Sequence, residues 1–197
     1  LATAGKTNPL YDRWGYNANG ATQSLGRYPR VTKFLIDSYV ALGDTVRMKR
    51  QFYAYGGENT AVPGTSVRAE LNSNYRGVPF GSPSGYTAGN VSPIGPAQIV
   101  KGVYDKPYHI MTGAEVYLLL AEAKQRYGAA VTLPSTAKEY FDLGVRASFR
   151  LTGASDAAAL TMLSSGKDLA DFTASPDKLK AIWMQKWLAL VNFGGLE

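Results

Sequence analysis

A chain of 197 residues is long enough for one domain with a real core, and a hydrophobic fraction of 45% excludes wholesale disorder. It has no Cys, which excludes disulfides, thiolate chemistry and Cys-bound zinc within this span. The net charge of +6 raises nucleic-acid binding, but the positive residues are scattered. Their one tight cluster, Arg47, Lys49 and Arg50, is not interleaved with aromatics, so no nucleic-acid partner is expected.

Charged residues make up only 18%, whereas Gly (21) and Tyr (13) are plentiful. That balance predicts long ordered loops and a surface of neutral polar and aromatic groups. Such a surface suits neutral ligands such as sugars, whose C–H faces stack on rings while amides bond their hydroxyls. Most of the tyrosines are expected simply to bridge core and solvent. No apolar run approaches the ~20 residues of a membrane-spanning helix. The opening Leu1-Ala2-Thr3 and the apolar close at Gly195-Leu196-Glu197 read as the ends of a piece of something longer.

In chain order, residues 1–27 carry Asn8-Pro9, Trp14, Tyr16, Asn17 and Asn19 without periodicity, which predicts ordered loop. Residues 29–47 predict a helix, with Val31, Phe34, Leu35, Ser38/Tyr39 and Leu42 on one face, Pro29 in its first turn and Gly43 after the last apolar residue. Gln51-Phe52-Tyr53-Ala54-Tyr55 reads as a short strand. Residues 56–108 are poor in charge and rich in Gly and Pro, with Tyr75, Phe80, Tyr86, Tyr104 and Tyr108 interspersed. A loop of this length in a domain is functional or disordered, and its aromatics point to order.

From residue 109 the signal is helical. Thr112-Gly113-Ala114-Glu115 is a capping box, followed by the stripe Val116, Leu119, Leu120 and Ala123 and by Gly128 as terminator. Thr136-Ala137-Lys138-Glu139 is a second capping box, and Tyr140, Phe141, Val145, Ala147, Ser148 and Phe149 lead to Gly153. Residues 155–165 predict a short helix. Ser175-Pro176 reads as an N-cap and first helical residue, with Leu179, Ile182, Trp183, Lys186, Trp187, Leu190 and Val191 at helical spacing up to Gly194. Small residues on the first two of these helices, Ala121 and Ala123 against Ala137 and Gly144, suggest a tetratricopeptide-type hairpin.

The order of segments resembles the SusD/RagB family. Pro107-Tyr108-His109-Ile110-Met111-Thr112-Gly113-Ala114-Glu115-Val116 through Ala123 is similar to that family's P-x-x-x-M-T-x-A-E-V-x-F-x-x-A-E-A segment. Tyr140 to Phe149 resembles its Y-x-x-G-V-x-A-S-F helix, and Ile182 to Leu190 its I-x-x-Q-K-W-I-A-L helix. Asn8-Pro9-Leu10-Tyr11 and Tyr75-Arg76-Gly77-Val78-Pro79-Phe80-Gly81 match weaker features. One departure is Asp44-Thr45-Val46-Arg47, where the family tends to carry Asp-Pro-Arg.

The resemblance implies a mainly α, tetratricopeptide-like fold with a long irregular aromatic, Gly- and Pro-rich loop region and little β. The chain is expected to be one such region, the C-terminal portion of a longer protein, with residues 1–108 loop-rich around one helix and residues 109–197 helical. It further implies a non-catalytic protein on the extracellular face of the outer membrane, anchored by a lipidated Cys outside this chain. Such a protein captures oligosaccharides or peptides for a SusC-like TonB-dependent transporter and needs no cofactor. A tetratricopeptide interaction module without small ligand is the alternative.

Candidate ligand residues are Trp14, Tyr16, Asn17 and Asn19, an aromatic platform with amides, and Tyr75 with Arg76. Tyr53, Tyr55 and Tyr86 rank below them. For Trp14 the plainer reading is a core plug. Trp183 and Trp187 are expected in the core. His109, the only histidine, has no G-x-S-x-G segment to serve and reads as structural. Asp168 and Asp171 lack an EF-hand pattern. Glu115 and Glu122, two turns apart on one helix, make a poor glycosidase pair.

Overall fold

A computed structural model describes residues 7–56, 71–82 and 84–193. Among them are seven α-helices: α1 Pro9–Trp14, α2 Lys33–Leu42, α3 Thr45–Gln51, α4 Gly113–Tyr127, α5 Ala137–Thr152, α6 Asp156–Leu163 and α7 Lys178–Leu190. β structure among the described residues is confined to single-residue bridges. The mainly helical expectation therefore holds. The chain divides into two units: Leu1–Ala41 with Thr45–Tyr108, and Leu42–Asp44 with His109–Glu197.

The first unit holds three described helices where the sequence suggested one. Asn8 nucleates α1: its Oδ1 accepts from Leu10 N at 2.8 Å and Tyr11 N at 3.3 Å, and Pro9 takes the first helical position. The same side chain donates from Nδ2 to Lys106 O at 2.8 Å, tying α1 to the end of the unit. The expected helix over 29–47 is two helices. Gly43 adopts φ +74°, a left-handed turn that ends α2, and α3 starts anew at Thr45. Pro29 lies before α2 in extended chain, and the amide of Leu35 is capped instead by Thr32 Oγ1 at 3.3 Å. Leu35, Ile36 and Tyr39 of α2 are buried, while Phe34 is 57% exposed and so leaves the expected core face.

Tyr39 hydroxyl donates to Gln51 Oε1, and the buried Arg47 guanidinium lies 5.9 Å from the Tyr39 ring centre. Burial of Arg47 removes it from any basic surface patch. The expected strand 51–55 is also corrected: Gln51 ends α3, and Phe52 makes one antiparallel bridge to Ile94.

The described part of the long loop is ordered by backbone hydrogen bonds to the ends of α2 and α3. Lys33 N donates to Val78 O (2.8 Å), Val78 N to Val31 O (2.9 Å), Val31 N to Ser92 O (3.1 Å), Tyr53 N to Pro93 O (3.1 Å) and Gly95 N to Gln51 O (2.7 Å). Gly77 and Gly95 allow these approaches. A Cβ on Gly95 would stand 2.4 Å from Phe52 N, and one on Gly77 would stand 2.3 Å from Thr32 C.

In the second unit α4 and α5 form the expected hairpin, joined by a 3-10 turn at Gly128–Ala130. The second capping box is complete: Glu139 N donates to Thr136 Oγ1 (3.2 Å) and Thr136 N to Glu139 Oε2 (2.7 Å). The first is half made, with Glu115 N donating to Thr112 Oγ1 at 3.1 Å. The buried face of α4 is Ala114, Leu118 and Ala121, not the expected stripe; Val116 is 38% and Leu119 43% exposed. The helix carries two apolar stripes, and α5 takes the one with the smaller residues because it crosses closely there. Gly144 sets that distance, since a Cβ on it would lie 2.6 Å from Leu118 Cγ.

Ser155 caps α6, and Arg146 of α5 pairs with Asp156 at its start. α7 begins later than expected. Its N-cap is Asp177, while Ser175 is buried in the preceding turn, accepting from Leu169 N and donating to Asp171 O, each at 2.8 Å. The helix ends at Leu190, and Gly194 lies outside the described residues. Ala181, Ile182, Gln185, Leu188 and Ala189 form its buried face. Trp183 is 44% exposed rather than core, with the Arg126 guanidinium 5.3 Å from its ring centre. Trp187 is half-buried. His109 packs against Phe193, ring centres 5.7 Å apart.

Glu122 joins α4 to α7. Its carboxylate accepts from Lys186 Nζ at 2.8 Å and Arg126 Nε at 3.0 Å. These bonds, that of Lys186 foremost, outweigh burial and hold its carboxyl at about 2. A depressed carboxyl stabilises the fold above the unfolded value and loses that contribution as pH falls through the folded one. Glu122→Gln is expected to cost about 1–3 kcal/mol at pH 7. In denaturant melts the gap to wild type should shrink between pH ~4.5 and ~2. Gly144→Val is expected to lower stability by about 1–3 kcal/mol through overpacking. Gly113→Ala meets no atom within 4 Å and should be neutral or stabilising by the same measurement.

Candidate ligand-binding site

The turn after α1 builds a shallow concavity in the first unit. Gly15 N closes α1 onto Tyr11 O at 2.7 Å, and the chain reverses through a bridge between Tyr16 and Thr22. Asn17 holds that reversal: its Oδ1 accepts from Asn19 N and Ala21 N, each at 3.0 Å, an Asx-type turn. Trp14, Tyr16, Thr22, Gly26, Pro29, Tyr53, Pro93, Ile94 and Ile99 then line a hollow of about 320 Å³ including its open mouth. Tyr16 packs with Tyr11 and Ile99 below it, and Trp14 lies half-buried against the same cluster.

Three aromatic rings thus wall an open, shallow site. Tyr53 is fixed by its hydroxyl, which donates to Ile99 O at 2.8 Å. Burial, with Tyr16 adding to it, pushes the Tyr53 phenol well above its ordinary value, so it stays a neutral donor. Among the described residues no carboxylate lines the hollow. What the lining offers is ring faces, apolar surface and backbone carbonyls, the chemistry of stacking and neutral hydrogen bonding. No group of three or more His, Cys, Asp or Glu among the described residues is placed to hold a metal ion. Asp171 spends its carboxylate on Thr173 N at 2.8 Å and Gly166 N at 3.2 Å.

The sequence candidates are therefore brought together only in part. Trp14 and Tyr16 share the hollow, and Asn17 and Asn19 sit exposed on the adjoining turn. Tyr75 and Arg76 are not among its lining residues. Tyr75 is buried, its phenol raised to about 12 by that burial. Arg76 is exposed with its guanidinium 5.0 Å from the Tyr86 ring centre, a separate polar-aromatic spot. Tyr53, ranked below Trp14 and Tyr16 on sequence, shares the lining with them. Its position after α3 is set by the bridge from Phe52 to Ile94, a distant pairing with no local signature. Ile94 and Ile99 were missed for the same reason.

A family profile described as starch-binding and associating with the outer membrane matches residues 4–195. The chain belongs to the SusD-like family. A search of curated proteins finds no match. Among solved structures, this SusD-like chain is similar to a SusD homologue of Bacteroides vulgatus ATCC 8482 at 22% identity and TM-score 0.64, covering 96% of this chain and 38% of that one. A structure from the same strain, described as a candidate outer-membrane protein for nutrient binding, matches at 19% identity and TM-score 0.68, covering 99% and 42%. A SusD homologue of Bacteroides thetaiotaomicron VPI-5482 matches at 23% and 0.57, covering 82% and 35%. The SusD-like chain thus spans less than half the length of these proteins and shares their fold.

The turn that carries Trp14 and Tyr16 has a direct test. Asn17→Ala removes two hydrogen bonds and is expected to lower stability by about 1 kcal/mol. Faster amide exchange at Asn19 and Ala21 would report the loosened turn.

Proposed function

We propose that this chain is part of a non-catalytic nutrient-capture protein on the extracellular face of the outer membrane, tethered by a lipidated Cys outside this span. It binds an oligosaccharide, or in the same role a peptide, and delivers it to a SusC-like TonB-dependent transporter. The observation that carries this reading is the family match over residues 4–195, whose description joins starch binding to the outer membrane. The hollow walled by Trp14, Tyr16 and Tyr53 supports it, because shallow aromatic walls without a carboxylate pair suit holding a glycan more than cleaving one. On the adjoining turn the Asn19 amide can meet paired hydroxyls and Asn17 can donate from Nδ2, and Arg76 beside Tyr86 supplies a second contact point.

The α4–α5 hairpin, with Val116, Leu119 and Tyr127 exposed, favours a second reading as a protein-interaction module. The two separate on one experiment. The native full-length protein, tagged and recovered from mildly solubilised membranes, is expected to bring a large β-barrel transporter with it. Recovery alone from the soluble fraction would transfer the case to the interaction module. Trp14→Ala is expected to weaken oligosaccharide binding about tenfold by calorimetry, since a stacked ring contributes roughly 1 kcal/mol beyond its buried area.

A further inference from the structure

The net charge of the chain is segregated. Residues 1–108 carry twelve Lys and Arg against six Asp and Glu, whereas residues 109–197 carry nine of each. The whole excess of +6 therefore lies in the part of the sequence that forms the aromatic hollow.

Several of these cations flank residues that line the hollow. The Arg13 guanidinium lies 5.7 Å from the Trp14 ring centre, and Lys101 Nζ lies 5.8 Å from that of Tyr16. Both residues are exposed, and among the described residues neither has a carboxylate partner. Arg30 is built into the rim, its Nη1 donating to the carbonyls of Gly26 at 3.1 Å and Pro29 at 2.8 Å, two of the lining residues. Arg50 lies close enough to Tyr53 to favour the ionised form of its phenol. Asp37 is paired with Lys33 on α2, and neither Asp12 nor Asp105 is a lining residue.

A single cation beside an aromatic ring is an ordinary contact within a fold and needs no ligand to explain it. Two such pairs at neighbouring lining residues, with a third cation at the rim and no carboxylate among the described lining residues, make something more: a positive potential focused on a surface that stacks sugars. A neutral glucan gains nothing from that potential. A glycan bearing carboxylates or sulfates does, and the planar guanidinium of Arg13 suits either group.

We infer that the hollow takes an anionic oligosaccharide, one carrying uronic carboxylates or sulfate esters, with its rings on Trp14 and Tyr16 and its charges on Arg13 and Lys101. This deepens the capture reading above and rests on it.

The test is calorimetric titration of the full-length protein with three probes of equal length: an oligogalacturonate, a sulfated oligosaccharide and a neutral malto-oligosaccharide. At low salt at least one anionic probe is expected to bind about tenfold more tightly than the neutral one. That advantage should collapse at about 0.5 M salt, where the screening length falls to a few ångströms. Arg13→Gln with Lys101→Gln is expected to weaken the preferred anionic probe about tenfold. Lys101→Arg in place of Lys101→Gln should restore part of that loss. Both side chains are exposed, so a thermal midpoint lowered by no more than a few degrees, the loss of the two cation–ring contacts, verifies the fold of each variant. Equal or tighter binding of the neutral probe would overturn the anionic inference and leave the capture reading standing. Binding of none of the three would overturn the anionic inference, and the capture reading would then stand or fall on the co-purification of a transporter.

Discussion

The first unit depends on where its backbone amides find partners. The described residues between α3 and α4, which form no α-helix or sheet ladder, must still satisfy each buried N–H and C=O, or lose several kcal/mol. Here the chain lays residues 74–78 and 92–97 against the two ends of the α2–α3 pair, so each strand-like contact lasts for one or two rungs. Gly77 and Gly95 are the points at which backbone meets backbone too closely for a side chain. From these few bonds follows the position of Pro93, Ile94 and Ile99, and with them the far wall of the hollow.

The second unit is organised by a different constraint, the close crossing of α4 and α5 at Gly144 and Leu118. Around it, polar side chains do the joining. Gln185 Nε2 reaches Leu169 O at 2.9 Å, and Lys178 Nζ donates to the carbonyls of Phe172, Thr173 and Ser175 within 3.0 Å. These bonds fold an irregular turn against the start of α7 without a hydrophobic side chain for each position.

The sequence was most legible where local chemistry decides the outcome. Thr136 with Glu139, Ser155 and Gly153 are bounded by atoms three or four residues away, and the helices they delimit lie where the spacing placed them. It was least legible where two local signals compete or a distant partner decides. Asn8-Pro9 was read as a loop although it is an N-cap and a first helical residue, because α1 is only six residues long and too short for periodicity to show. α4 carries two apolar stripes, and spacing alone does not say which one α5 covers. Trp183 sits at core spacing yet shares its outer face with Arg126 and Glu122, charges that α4 brings from sixty residues away. At the site, Trp14 and Tyr16 were legible as an aromatic-amide cluster, whereas Tyr53, Ile94 and Ile99 are joined to it by pairings far apart in sequence.

The single-rung character of the bridges bears on how copies of this protein tolerate crowding. A sheet of ordinary length ends in a row of unpaired donors and acceptors, and such a row recruits strands from neighbouring molecules. Among the described residues no bridge extends into a ladder, so the described part of the loop offers no such row despite its Tyr, Val and Ile content. A polypeptide can thus display aromatic residues densely at its surface while denying its neighbours the template from which fibrils grow.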